Sequence, residues 1–249
     1  MQTIDFDRLG VDPGDRVIDV GCGEGRHCHG AVLYAEETGA SVTDEVNVVG
    51  IDIDGSRLQS ARSDYEEHVS EYVENTPPPV FCRGDATSIP VSNSSVDVVV
   101  CSEVLEHLPD FGSALDEISR VLKPDGRLAV SVPRYGPERV CWALSSSYHE
   151  VEGGHVRIFR RRELHEAIES RGYRCIDSHY AHALHAPYWW LKCLWWDLND
   201  QPGVLSKYEQ FLERMILEDA PVATAVERVL NPVLGKSLVL YFDPDPEAR

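Results

Sequence analysis

The segment CSEVLEHLPD, residues 101–110, places two carboxylates and an imidazole within five positions. If a helical turn carries them, Glu103, Glu106 and His107 stand at i, i+3 and i+4 on one face. Carboxylates packed that closely repel each other unless a proton or a cation lies between them. An oxygen-rich set with one imidazole suits Mg2+ or Mn2+ better than a structural zinc. A cation held there would bind a hydroxyl, lower its pKa and aim it at an electrophile. His107 is also the first candidate for a general base, because imidazole titrates near neutral pH. A metal-free reading stands beside this one, in which the Glu and His orient a substrate or cap a helix.

A second set lies earlier in the chain. In RVIDVGCGEG, residues 16–25, a short apolar run stops at a loop carrying Gly21, Gly23 and Gly25. Another apolar run, NVVGIDID, contains Asp52 near its end. This is the pattern of a nucleotide-type cofactor site: one strand delivers the backbone, and glycines allow close approach to the ligand. An acid ending the next strand takes ribose hydroxyls. The spacing GxGxG, with Asp19 just ahead of the loop, points towards S-adenosylmethionine and away from dinucleotides.

Both sets need a scaffold that brings strand ends together. Runs rich in Val and Ile predict buried strands at 16–22, 47–53, 80–84, 96–101 and 126–132. Helices are expected between them at about 25–39, 56–73 and 111–122. Asp54, Gly55 and Ser56 cap the second helix, and Pro77-Pro78-Pro79 ends it. Lys123-Pro124-Asp125-Gly126 reads as a turn feeding the fifth strand. Ligands of open α/β sheets bind at the carboxyl ends of the strands, where both sets fall. Residues 134–155 read as a long loop with at most one helix. A helix at about 161–171 and strands at about 173–181 and 236–242 follow. Between those last two strands, residues 183–235 form an insertion that is a candidate cap over the site.

The whole chain, 1–249, is expected to form one domain, with 43% hydrophobic residues to fill its core. No apolar run reaches the 18 or so residues of a membrane span, and the N-terminal segment is polar. No transmembrane segment or signal peptide is therefore expected, and the predicted location is cytoplasmic. Seven scattered cysteines without a CxxC pair fit neither a disulfide framework nor a zinc ribbon. The net charge is −19, with only four lysines among the 23 basic residues. That balance fits a halophilic surface adapted to high salt, or a basic partner. It repels phosphate backbones, so no nucleic acid partner is expected.

From about Val17 to Val132 the chain resembles the class I S-adenosylmethionine-dependent methyltransferases. The elements VIDVGCG, GIDI, RGDAT and RVLKPDGRLAVSVP occur in order. The resemblance implies an α/β, Rossmann-like seven-stranded sheet of order 3-2-1-4-5-7-6 with strand seven antiparallel. It implies that Asp19, Gly21, Cys22 and Gly23 hold the methionine end of the cofactor. By the same resemblance Asp52 holds the ribose, Ile53 packs on the adenine, and Asp85 with Ala86 reads the adenine amino group. Cys101 and Ser102 would line the floor. The ExxEH element at Glu103–His107 resembles that of metal-assisted O-methyltransferases of quinone biosynthesis and small-RNA 2′-O-methyltransferases. That likeness implies Glu103, Glu106 and His107 as metal ligands, joined by His155, with His149 and Glu152 as alternatives.

Residues 178–196 hold His179, His182, His185 and four tryptophans. In one reading Trp189 and Trp196 form a buried helical stripe. In another the segment is the acceptor pocket, where aromatic faces suit a sugar ring or a quinone. His182 and His185 would then serve as base if His107 ligates a metal. A zinc site on the three histidines and contact with a membrane surface are further alternatives. The tail is similar to mycofactocin oligosaccharide methyltransferases. The expectation is O-methylation of a small-molecule or saccharide hydroxyl, with S-adenosylmethionine and Mg2+ or Mn2+. Its rivals are a quinone or polyprenyl-phenol methyltransferase, an RNA 2′-O-methyltransferase, and a non-catalytic protein that binds S-adenosylmethionine.

Overall fold

A computed structural model describes residues 2–39, 46–151, 153–198, 202–217 and 221–247. Its centre is one sheet of seven strands: β1 (Arg16–Val20), β2 (Asn47–Asp52), β3 (Val80–Arg83), β4 (Val96–Ser102), β5 (Leu122–Pro133), β6 (Tyr173–Ala181) and β7 (Ser237–Pro244). Their order is β3-β2-β1-β4-β5-β7-β6. Neighbours from β3 to β5 pair in parallel, and β7 runs antiparallel to both β5 and β6. The order and the reversed seventh strand are those expected.

Helices cover both faces because strand side chains alternate between them. Val98 and Val100 pack in the layer of α1 (Phe6–Leu9), α2 (Arg26–Thr38) and α3 (Gly55–His68). Val99 and Cys101 pack in the opposite layer, with Leu115 and Ile118 of α4 (Phe111–Val121). After β5 come α5 (Tyr135–Leu144), α6 (Ser147–Glu150) and α7 (Arg161–Glu169), the last joining α4 on its face through Leu164 and Ile168. Between β6 and β7 lie α8 (His185–Leu194), α9 (Gly203–Leu217) and α10 (Pro221–Leu234). Two aromatic clusters tie these helices together, one around Tyr188 and Leu205 and one around Cys141, Tyr148 and Cys193. Trp189 and Trp196 both meet Tyr148, at 5.8 and 5.4 Å between ring centres.

Three local expectations need correction. The helix expected at 56–73 ends at His68, and Ser70–Tyr72 forms a separate 3-10 turn. Residues 134–155 contain two helices, α5 and α6, because Cys141 and Tyr148 find a core against Cys193. The fifth strand starts at Leu122, which pairs with Val96 before Arg127 pairs with Val98. Lys123–Gly126 is thus an excursion within the strand, pinned by the Lys123 Nζ to Asp97 Oδ1 ion pair at 2.6 Å. Among the described residues no helix is long and apolar enough to cross a membrane.

Candidate active site

The glycine loop leaves β1 and folds back onto the end of β2. The N–H groups of Gly21 and Cys22 donate to the Ile51 carbonyl at 2.7 and 3.0 Å. That of Gly23 donates to Asp52 Oδ2 at 2.8 Å, while Asp54 N–H donates to Oδ1 at 2.8 Å. Gly21 has φ +73°, and a Cβ there would overlap the Val104 side chain, so only glycine fits without strain. The loop borders a cavity of about 200 Å3 whose walls include Gly21, Asp52, Ile53, Asp85, Ala86, Glu103 and His107. Ile53 lies 62% exposed there, an apolar platform at a strand end. Asp85 Oδ1 accepts from the Thr87 N–H and hydroxyl, both at 2.8 Å.

Asp19, Cys22 and Cys101 are buried and absent from those walls. Burial pushes the Asp19 carboxyl up to about 7, although the Cys28 thiol donates to its Oδ2 and the Arg26 charge opposes the rise. Its Oδ1 has no hydrogen-bond partner. Ser102 ends β4 on the face it shares with Val98 and Val100, opposite Cys101. Its hydroxyl hydrogen-bonds Ser131 Oγ at 2.8 Å and His27 Nε2 at 3.0 Å.

The acidic turn after β4 departs from a regular helix. Glu103 has φ +56°, in the left-handed region, and the 3-10 turn covers only Leu105–His107. Glu103 thus precedes that turn and shares a cavity wall with His107, and its Oε1 accepts from the Ser131 hydroxyl at 3.1 Å. Leu105, fully buried, anchors the turn against the α4 layer. Glu106 is 1% exposed, and neither carboxylate oxygen has a hydrogen-bond partner. Burial, with the Glu103 charge adding to it, holds its carboxyl well above the usual range. The donor atoms of Glu106, His107 and His155 lie within 4.8 Å of one another.

Both histidines are held from behind. His107 Nδ1 lies 3.3 Å from the Gly154 carbonyl, and its Nε2 faces Glu106 Oε1 at 4.0 Å. His155 Nδ1 lies 2.6 Å from Glu138 Oε1. Glu138 is buried and also accepts from Trp142 Nε1 at 3.1 Å. Burial alone would raise the Glu138 carboxyl. The His155 hydrogen bond, with the Lys236 charge, holds it below the usual range instead. A carboxylate or carbonyl behind each imidazole is the arrangement that fixes histidine ligands for a cation.

Residues 11–183 match the methyltransferase domain family. The chain belongs to the class I S-adenosylmethionine-dependent methyltransferases. It is 33% identical over 128 residues to an O-methyltransferase of Pyrenophora dematioidea, covering 51% of this chain and 42% of that one. A probable S-adenosylmethionine-dependent methyltransferase of Mycolicibacterium smegmatis is 31% identical over 166 residues, covering 66% of this chain and 54% of that one. The chain thus spans about half the length of these relatives. A solved S-adenosylmethionine-dependent methyltransferase from Methanosarcina mazei has the same fold, with TM-score 0.61 at 15% identity over 98% of this chain and 99% of that one.

This methyltransferase has a second cavity, of about 150 Å3, beside the first. Glu103 stands in the wall of both; His182, His185, Trp189 and Lys236 line the second. Of the site residues expected from sequence, Gly21, Asp52, Ile53, Asp85, Ala86 and His107 line the first cavity, His182 and His185 the second, and Glu103 both. His179 stacks on Tyr241 with ring centres 5.7 Å apart and shares a third cavity with His182 and Glu227. His149 stacks on Trp142 at 4.1 Å, and Glu152 falls outside the described residues. Three residues escaped the sequence reading. Glu138 lay in a segment taken for loop, where its i, i+4 spacing to Trp142 was the available signal. His27, buried on α2, ends the hydrogen-bonded series Glu103–Ser131–Ser102. Glu227, on α10, meets His185 and had no local signal.

Proposed function

We propose that this methyltransferase transfers a methyl group to a hydroxyl of a small-molecule or saccharide acceptor, assisted by Mn2+ or Mg2+ at Glu106, His107 and His155. The observation that carries the reading is Glu106, buried with both oxygens unpartnered and facing two imidazoles held by acceptors. A buried carboxylate without a hydrogen bond is costly unless a proton or cation meets it. The three grouped donors are one carboxylate and two imidazoles, a set that favours Mn2+ over the more oxygen-loving Mg2+.

In this reading Asp19 and the Gly21–Gly23 loop, Cys22 included, take the methionine end of the donor. Asp52 takes the ribose, Ile53 the adenine face, and Asp85 with Ala86 its amino edge; Cys101 supports the floor from within the core. S-adenosylmethionine supplies a methyl group already activated on sulfonium, so positioning and proton removal remain for the protein. The cation, when bound, holds the hydroxyl and lowers its pKa. His107 then serves as ligand, and Glu103, common to both cavities, accepts the proton. The Ser131 hydroxyl orients that carboxylate. Trp189 offers the acceptor an aromatic face. We place the enzyme in the cytoplasm, where its seven free thiols persist.

The test is release of S-adenosylhomocysteine in a screen of hydroxyl acceptors. Chelation should abolish turnover and Mn2+ restore it. Glu106→Ala and His107→Ala should lose turnover while binding S-adenosylhomocysteine as tightly as the unaltered chain. Full activity in either variant, or after thorough chelation, would overturn the assignment.

A further inference from the structure

We propose that His182, His185 and Glu227 form a separate binding site for a zinc-class divalent cation, where the end of β6, the start of α8 and the middle of α10 meet. Two of these residues stand at i, i+3, while the third arrives from a helix forty-two positions further on. Their donor atoms nevertheless lie within 4.8 Å of one another.

Glu227 is 6% exposed, and its Oε1 has no hydrogen-bond partner; nor has His185 Nδ1. These two atoms face each other at 3.8 Å. That is too long for a hydrogen bond, which closes at about 2.7–3.2 Å. Two ligands of a tetrahedral zinc, bonded at about 2.0–2.1 Å, stand about 3.4 Å apart. The observed spacing is therefore close to that of a bridging cation. Elsewhere α10 turns Val222, Val226, Val229 and Val233 outward, so Glu227 is its buried charge.

The surroundings hold the three donors in place. His182 Nε2 meets the Thr3 hydroxyl at 2.9 Å. One turn beyond Glu227, Asn231 Oδ1 accepts from Ala183 N–H at 2.9 Å, locking α10 to the turn that carries both histidines. His182 has φ +64°, a conformation uncommon outside glycine and held here by that packing. Arg26 and Lys236 lie in the wall of the adjoining cavity, with Glu103 to offset them. Their charge disfavours a hard cation held by electrostatics and leaves a borderline one bound through nitrogen. Two histidines and one glutamate would supply three ligands and leave a fourth for water, as in catalytic zinc sites.

The test uses the full chain, stripped with a chelator and titrated with Zn2+ and with Co2+ as a visible-absorbing probe. Glu106→Gln, which disables the other cluster, should still take up one equivalent of Zn2+ and show the absorption of four-coordinate Co2+. Adding Glu227→Gln or His185→Ala to that variant should remove both signals while the circular dichroism stays unchanged. Thr3→Ala should weaken Zn2+ binding about 10- to 100-fold, as loss of a partner behind a ligand does. Unchanged Zn2+ uptake in the Glu227→Gln or His185→Ala double variants would overturn the site, as would no uptake by Glu106→Gln alone. Either result leaves the Mn2+ reading at Glu106 to its own turnover assay.

Discussion

Asp19 makes the protein trade stability for charge. Its carboxyl ionises near 3.8 in an unfolded chain and near about 7 in the fold, because burial penalises the charged form. Between those values the folded state holds a proton that the unfolded chain has released. Stability therefore falls as pH rises, by about 1.4 kcal/mol per pH unit, and levels off above about 7. The full fall is about 4 kcal/mol, a large part of the 5–15 kcal/mol or so typical of a folded domain. Asp19→Asn keeps the shape and removes the titration. Urea unfolding of the ligand-free chain from pH 5 to 8 should show the variant gaining steadily on the unaltered protein, and more stable at pH 8. Donor binding should reverse the order, since the methionine ammonium favours ionised Asp19. Affinity for S-adenosylhomocysteine should rise with pH up to about 7 in the unaltered chain, and stay weak and flat in Asp19→Asn. Parallel stability curves for the two chains would refute the reasoning.

Other perturbations test other parts of the site. Gly21→Ala should cost about 1–2 kcal/mol for the left-handed backbone and about 1–3 kcal/mol for overlap with Val104. Val104→Ala in the same chain should recover the second part in urea unfolding. Glu138→Gln should weaken Mn2+ binding at the His155 cluster about 10- to 100-fold, read by electron paramagnetic resonance. Raising KCl from about 0.1 to about 1 M shortens the screening length from about 10 to about 3 Å and should raise Tm, given the net charge of −19. A flat Tm would remove the high-salt reading of the surface.

The sheet was legible because strands buried on both faces read as runs of Val and Ile, and five such runs alternate with helical stretches. Its misreadings share one cause. Pro124 and Gly126 signal a turn locally, but Leu122 already pairs with Val96 across the sheet, and the ladder absorbs the excursion. Polar residues in 134–155 signal a loop, yet Cys141 and Tyr148 turn inward once α8 covers them. Tertiary packing outweighed local propensity in both places.

The residues proposed for the cofactor are legible because they are local: Gly21, Asp52 and Asp85 lie at or just past strand ends, and parallel strands bring those ends to one edge. The residues proposed for the acceptor come from distant elements. Spacing alone placed Glu103 with Glu106 and His107; the left-handed φ of Glu103 and the short 3-10 turn at Leu105–His107 were invisible in that spacing. Glu103 lines both cavities. Glu138 and Glu227 repeat one design from different helices. Each is a buried acid facing a histidine, one close enough to hydrogen-bond and one too far. In the two sites proposed above, the first distance would let a carboxylate orient a histidine ligand, and the second would let it act as a ligand itself.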